Sequence, residues 1–224
     1  MRLSFVIPVY NEAKNLRQLT GEISRLEKAG HEVIIVDGGS QDATLRTLQS
    51  VAKKVISSAK GRATQMNAGA SQAVGDVLVF LHADTILPVG APEFIRHAIQ
   101  QRPWGRFNVA LSGQAFIYRF IAAMMNLRSS LTGIATGDQC IFVTRQLFDA
   151  IGGYQAIPLM EDICLSQSLK RVSRPFCLTT KVITSSRRWE KNGTFRTILV
   201  MWSLRLAFFV GVSPTKLHKI YYPK

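Results

Sequence analysis

Apolar runs and helical patterns alternate along the first hundred residues. Leu3-Ser-Phe-Val-Ile-Pro-Val9 is apolar at almost every position, Glu32-Val-Ile-Ile-Val-Asp37 and Val77–Leu81 repeat the pattern, and a shorter run lies at Val55-Ile56. Runs of this length, apolar on both faces, predict strands of a parallel sheet that is covered on both sides. Between them, Leu16, Leu19, Ile23 and Leu26 recur at helical spacing as far as Gly30, after Asn11, which can cap the helix. Leu45, Leu48 and Ala52 mark a second helix, capped by Ser40 or Asp42, and the small residues of Gly61–Val74 a third. Pro92 suits the first turn of a fourth. The second half is less regular: Arg106–Leu111 and Gln139–Thr144 read as strands, Gln114–Leu131, Gln146–Ile151 and Glu161–Lys170 as helices, and two short strands are expected near Phe176 and Val182. The alternation predicts an α/β fold, a mostly parallel central sheet with helices on both faces. No repeat or flexible linker interrupts the chain, so one domain is expected over residues 1–190, with halves at 1–105 and 106–190, followed by a helical tail over 191–224.

Three of the expected strands end in polar groups: Pro8-Val9-Tyr10-Asn11-Glu12, Asp37-Gly38-Gly39-Ser40 and His82-Ala83-Asp84. In open α/β sheets ligands gather beyond the carboxyl ends of the strands. An acid ending the second strand can bond a ribose or a base, and Gly39 lets backbone come close to a ligand. Neither the glycine-rich dinucleotide fingerprint nor a P-loop is present, so bound phosphates would need a metal or basic side chains. Asp84 suits the first, because Mg²⁺ takes one or two carboxylates plus substrate phosphates. Lys60 and Arg62 suit the second, at the start of a helix whose N–H groups favour anions. The plain alternative for Asp84 is a turn cap. Glu161-Asp162 at a helix start is commonplace, since acids there favour the helix dipole; adjacent carboxylates can also push one pKa up and make a general base.

Taken together, Ile7–Glu12, Val36–Asp42, Gly61-Arg62-Ala63 with Asn67-Ala68-Gly69, Phe80–Thr85, Phe148 with Gly152-Gly153-Tyr154, and Glu161-Asp162 resemble the family 2 glycosyltransferases. The likeness is greatest to a small bacterial subfamily with Leu81-His82-Ala83-Asp84-Thr85 in place of the usual D-x-D, and Gly137-Asp138-Gln139 downstream. The resemblance implies the GT-A nucleotide-diphospho-sugar transferase fold and inverting, metal-assisted transfer of a sugar from a nucleotide-diphosphate donor to a hydroxyl acceptor. It implies that Pro8, Tyr10 and Glu12 border the nucleotide, Asp37 and Gly39 hold its base side, and Arg62 and Asn67 lie near base or diphosphate. His82, Ala83 and Asp84 would complete the donor site, with Asp84 the ligand of Mg²⁺ or Mn²⁺. Asp162, beside Glu161, would be the base, and Asp138 and Gln139 would lie on the acceptor side. Arg188-Trp189 resembles the Q-x-x-R-W element of related synthases, which assigns Arg188 to the leaving group and Trp189 to the donor; Ser185 stands where Gln is usual, which argues against a processive polymerase. His82 replaces the first aspartate of D-x-D; it can bond a ribose, ligate a metal or be a structural hydrogen-bonder. With one carboxylate fewer, the metal is expected to lean on the donor's phosphates. A sugar-phosphate nucleotidyltransferase on the same fold is the alternative, opposed by Tyr10-Asn11-Glu12 where that class has a glycine-rich basic loop.

Composition changes the picture at one end. The formal charge of +14 is concentrated beyond Thr180, where nine Lys and Arg face one acid, Glu190. Apolar Thr197–Val212 sits within that basic tail, interrupted by Arg205 and shorter than the ~20 residues of a spanning helix. A helix packed on the core with a solvated basic face explains the pattern, and so does contact with an anionic membrane surface. A nucleic-acid module is the lesser reading, because the interleaved residues are aliphatic as well as aromatic. A lipid-linked or apolar acceptor fits a membrane location. Three scattered cysteines, Cys140, Cys164 and Cys177, without a C-x-x-C pair predict free thiols in a reduced compartment, and no signal-peptide pattern opens the chain. The expected location is therefore cytoplasmic, peripheral on the inner face of the membrane. The stripe Phe116, Ile117, Phe120, Ile121, Met124, Met125 is expected in the core or covering the acceptor cleft.

Overall fold

The computed structural model describes residues 1–222; Lys224, counted in the basic tail, lies outside the described residues. The apolar runs form the strands expected of them: β1 (Leu3–Val9), β2 (Glu32–Asp37), β3 (Val55–Ser57) and β4 (Val77–Phe80). β1 pairs in parallel with β2 and with β4, and β2 with β3, so their carboxyl ends share one edge. The intervening helices are α1 (Leu16–Lys28), α2 (Thr44–Val51) and α3 (Arg62–Gln72). Small residues let α3 lie close to the sheet: a Cβ at Gly69 would sit 2.4 Å from a Val6 methyl and 2.9 Å from one of Val36.

The second half continues the same sheet. After the two-residue β5 (Thr85–Ile86) and α4 (Ala91–Gln101) come β6 (Trp104–Leu111), α5 (Phe116–Thr132), β7 (Ile141–Thr144), α6 (Arg145–Ala150), α7 (Glu161–Val172) and β8 (Phe176–Thr184). The eight strands run in the order β3-β2-β1-β4-β7-β6-β8-β5. β7 pairs antiparallel with both β4 and β6, and β5 with β8, while β6 and β8 run parallel, so the sheet is mixed: β3-β2-β1-β4 is parallel throughout and the second half combines both senses. One core fills the space between α1, α4 and the sheet, including Phe5, Leu19, Ile95, Phe107 and Phe142; a second lies under α3, α6 and α7, around Val6, Met66, Phe80 and Phe148.

Several local expectations are corrected. Phe176 and Val182 belong to one strand, β8, which holds on to β6 across an irregularity between Phe107 and Asn108. Asn11 does not cap α1: it is left-handed at φ 52°, and its side-chain carbonyl accepts the Gln41 N–H at 2.8 Å. Gln139 is not a strand residue; Gly137–Gln139 is a turn of 3₁₀ helix closed by a capping box with Thr136. The Phe116–Met125 stripe divides, with Ile117, Ile121 and Met125 packed inward and Phe116, Phe120 and Met124 exposed. The tail forms α8 (Arg187–Asn192), α9 (Thr194–Phe209) and α10 (Pro214–Tyr221), joined to the rest through Leu204 and Leu217, which pack with Leu159, Met160 and Ile163. Among the described residues, no helix is long and apolar enough to cross a membrane.

Candidate active site

The loops after β1 and β2 form one unit. The Asn11 N–H donates to Ser40 Oγ (3.0 Å), Glu12 N–H to Thr44 Oγ1 (2.8 Å) and Ala13 N–H to Asp42 Oδ2 (3.1 Å). Beneath them, the buried Gln65 amide of α3 donates to the carbonyls of Val9 and Val36, both at 2.8 Å. Nothing in the pattern of small residues along α3 singled Gln65 out; its signal is that it is the bulky polar residue on the helix face that packs on the sheet. It locks together the ends of β1 and β2, beside Tyr10, Glu12 and Asp37.

Asp37 is fully enclosed at the end of β2. Its Oδ2 accepts the N–H groups of Gly39 (2.8 Å) and Ser40 (2.9 Å), while its Oδ1 is buried without a partner. A buried carboxylate oxygen left unpaired is costly, which makes it a waiting acceptor for an N–H or O–H. Gly39, at φ 85°, supplies the left-handed turn that aims its N–H back at the carboxylate. Nearby, Lys60 Nζ lies 3.8 Å above the Tyr10 ring, and Pro8 stands in register with Val36. Desolvation raises the Glu12 carboxyl and the Asp84 charge adds to it, against a 2.5 Å hydrogen bond from Asn15.

The end of β4 carries Ala83, buried in the core, and half-buried Asp84, which lines a groove with Asn15, Ser112 and Ser185. His82 turns away: a Cβ on Gly137 would lie 2.4 Å from its Nε2, and that nitrogen is buried without a partner. Burial and the Arg62 charge push its imidazole down to about 3, so it is neutral. Only a glycine fits at 137 beside this ring, since any side chain there would meet Nε2.

Across the edge, Glu161 and Asp162 open α7 after Met160, whose left-handed φ of 70° sets the entry to the helix. Asp162 accepts the Gly137 N–H at 2.9 Å and the Ile163 N–H at 2.7 Å. Glu161 is buried; desolvation and the Asp162 charge push its carboxyl up to about 7, against the pull of Arg62. Desolvation lowers the Arg62 guanidinium, but Tyr222, Glu161, Asp162 and Asp84 outweigh it, and its affinity for the proton is raised. Arg62 thus stands in the combined field of acids from β4 and from α7. Asp138 accepts from Thr136 Oγ1 (2.5 Å); desolvation raises its carboxyl, and Asp162 adds to the rise. Two arginines, one unremarked in the sequence and one noted only for interrupting the apolar tail, face the same corner. Arg128 of α5 has its Nη2 buried without a partner and is lowered to about 10 by desolvation and by Arg205 of α9, while Asp138 and Asp162 work the other way.

Three expected site residues, Asn67, Gln139 and Trp189, have structural duties, and a fourth, Arg188, rests against aromatic rings of α10 and the residue after it. Asn67 spends its amide on the Tyr154 backbone, accepting its N–H at 2.9 Å and donating to its carbonyl at 2.8 Å, so it is not free for base or diphosphate. Gln139 is fully buried and its carbonyl oxygen accepts the Thr136 N–H at 3.1 Å, which removes it from any acceptor-facing surface. Trp189 is buried beside Tyr118 and Ile121, an anchor for α5 and α9 rather than a wall of the donor site. Arg188 lies 4.4 Å from the Tyr221 ring and donates to Tyr222 Oη at 3.3 Å. Among the described residues no group of three or more His, Cys, Asp or Glu forms a metal-binding cluster. Asp84, with Glu12 in its field, offers carboxylate oxygens of the kind a hard cation takes beside substrate phosphates.

Residues 4–112 match the family described as glycosyl transferase family 2. A dolichol-phosphate mannosyltransferase of Pyrococcus furiosus is 35% identical over 107 residues, 45% of this chain and 30% of that protein. An undecaprenyl-phosphate 4-deoxy-4-formamido-L-arabinose transferase of Pseudomonas fluorescens is 33% identical over 114 residues, 46% of this chain and 33% of that one. The chain therefore spans about a third of the length of these curated relatives. Among solved structures, the mannosyltransferase PcManGT of Pyrobaculum calidifontis, in complex with GDP-Man and Mn²⁺, superposes with a TM-score of 0.64 at 18% identity, covering 92% of this chain and 61% of its own. S. aureus TarS 1–349 in complex with UDP-GlcNAc gives 0.64 at 15% identity, covering 83% and 58%. The fold is the GT-A fold of glycosyltransferases.

Proposed function

We propose that the protein transfers a sugar, with inversion, from a nucleotide-diphosphate donor to a hydroxyl acceptor. The observation that carries this reading is the meeting of two sets of charged groups at one sheet edge: Asp37, Glu12 and Asp84 from the parallel strands, and Glu161 and Asp162 from α7, with Arg62 in the field of both. Solved neighbours hold GDP-Man or UDP-GlcNAc, which supports a nucleotide sugar as donor. The unpaired Oδ1 of Asp37 is suited to a base or ribose donor group. The first turn of α3 follows Gly61 without a side-chain cap, leaving its N–H groups and Arg62 for the diphosphate. Asp84 would hold a divalent cation, Mg²⁺ or Mn²⁺, which supplies charge neutralisation for the leaving diphosphate. Asp162, oriented by two backbone N–H groups, takes the proton of the acceptor hydroxyl as its oxygen bonds to the anomeric carbon and the bond to the diphosphate breaks. Asp138, Arg128 and Arg205 border the acceptor side. Relatives named for dolichol and undecaprenyl phosphates support a lipid-linked acceptor and work at a membrane surface.

The test is a thermal-shift screen of UDP- and GDP-sugars with and without Mn²⁺ or Mg²⁺, followed by release of the nucleoside diphosphate with candidate acceptors. A metal-dependent rise in melting temperature with at least one donor is expected. Asp162→Asn should keep that rise and lose about 10²–10⁴-fold in transfer rate, the usual contribution of a general base. Normal transfer by this variant would remove Asp162 from the role.

A further inference from the structure

The largest unexplained feature lies outside the cleft. On α5 the exposed side chains Phe116, Phe120, Met124, Leu127 and Leu131 recur at intervals of three and four residues; on α9 so do Phe195, Leu199, Trp202, Leu206 and Phe209. Phe116 is 79% exposed, Trp202 69% and Phe209 85%. The neighbouring faces of the two helices share one cluster, in which Ile117, Tyr118 and Ile121 meet Ile198 and Met201 around Trp189. The helices therefore lie side by side, each turning an apolar stripe outward. Scaling ~150–250 Å² for an aromatic side chain by these exposures gives roughly 1,000 Å² for the ten residues, well above the few hundred Å² of an ordinary monomer's largest patch.

Charge narrows the choice of occupant. Neither helix has an acidic residue, and Arg119, Lys191, Arg196, Lys216 and Lys219 stand exposed on or beside them. A second copy of the chain in a two-fold contact would set this basic face against itself. Phospholipid with anionic headgroups complements both features. At 16 residues α9 reaches about 24 Å, short of the ~30 Å hydrocarbon core, so it would lie in the interface plane. We propose that α5 and α9 together form one docking face for an anionic bilayer, with the two apolar stripes in the headgroup–acyl boundary and the basic rim on the phosphates. This goes beyond a basic tail touching lipid: half of the anchor is α5, a helix of the catalytic half of the sheet. Arg128 and Arg205 lie on the same two helices and both bear on Asp138, which sets the proposed acceptor side beside the docking face.

Flotation with phosphatidylcholine vesicles, with and without phosphatidylglycerol, tests this directly. Binding to the mixed vesicles at low salt is expected, with loss at high salt and little binding to phosphatidylcholine alone. Trp202→Glu on α9 and Phe120→Glu on α5 should each lower partitioning at least tenfold, with unchanged melting temperature and donor-induced thermal shift. Absence of binding to the mixed vesicles at low salt overturns the proposal. So does binding that Phe120→Glu leaves intact, or a concentration-dependent dimer in light scattering that the same variants dissociate. Donor binding is read separately, so the sugar-transfer reading and the docking face fail independently.

Discussion

Glu161 and Asp162 are adjacent in sequence, yet their surroundings assign them different work. Asp162 has two backbone N–H groups directed at it and faces the corner shared with Asp138. Glu161 is enclosed, and desolvation together with the Asp162 charge holds its proton up to about 7. That shift has a sign in stability. Between the ordinary carboxyl value of 4.5 and about 7, the folded chain keeps a proton that the unfolded chain has lost, so this group's contribution falls as pH rises through that window. Its cost at pH 7.5 is on the order of 3 kcal/mol. Glu161→Gln is expected to remove the slope and to gain stability relative to the wild type as pH rises. His82, kept neutral by burial, works in the opposite direction below 6.5, but it is common to both proteins and cancels in the difference. Melting both proteins from pH 4.5 to 8 reads the effect; a difference that stays flat across the window would show that Glu161 does not titrate there.

At the scale of elements, the donor half was open to reading because a parallel strand buried on both faces writes a continuous apolar run, and its end is marked by the first polar residues. β1, β2 and β4 announced themselves in this way, and Asp37, Glu12 and Asp84 fell at their ends. The acceptor half was less open because its geometry rests on backbone contacts that leave no periodic trace. β5 has two residues, too few for any pattern. Gln139 directly precedes the apolar run Cys140–Val143, and nothing in the sequence marks the capping box that it serves instead of the strand. Asn67 and Trp189 matched family positions, while the hydrogen bonds and packing that occupy them are visible only in three dimensions. Gln65 shows the converse: a residue without a motif that ties two strand ends. Gln65→Leu keeps its bulk and removes both hydrogen bonds; the Val9 carbonyl keeps the Gly38 N–H at 2.9 Å, while the Val36 carbonyl loses the amide at a cost of about 1–3 kcal/mol if water stays out. The expected result is a clear drop in the urea midpoint with an unchanged m-value, together with weaker donor binding, because the loops carrying Tyr10 and Asp37 lose their common support. A variant as stable as the wild type would mean that water replaces the amide.

For the whole molecule, the question is how the far end of the chain is connected to the donor site. α10 is anchored through Leu217, which is fully buried, and it delivers Tyr221 and Tyr222 to Arg188, with Tyr222 also in the field of Arg62. If Arg188 serves the leaving diphosphate, it must exchange a ring contact worth about 0.5–1 kcal/mol at an exposed site for charge-assisted hydrogen bonds to phosphate, roughly twice as strong as neutral ones. The exchange is favourable only when a diphosphate is present, and the proposed cation would follow the same logic, since Asp84 and Glu12 offer it two carboxylates and the donor's phosphates would supply the rest. Metal, donor and C-terminal helix are therefore expected to respond together. Calorimetric titration of Mn²⁺ into the protein should show weak binding alone and at least tenfold tighter binding with the nucleoside diphosphate present. Hydrogen exchange over residues 214–222 should change under the second condition and not the first. Tyr222→Phe, which keeps the ring and removes the hydroxyl that accepts from Arg188, should tighten donor binding by a few-fold while leaving the melting temperature of the free protein within a degree or two. Tight Mn²⁺ binding to the protein alone would show that the cation site is complete without the donor, and unchanged exchange over 214–222 with the diphosphate bound would detach Arg188 from the leaving group.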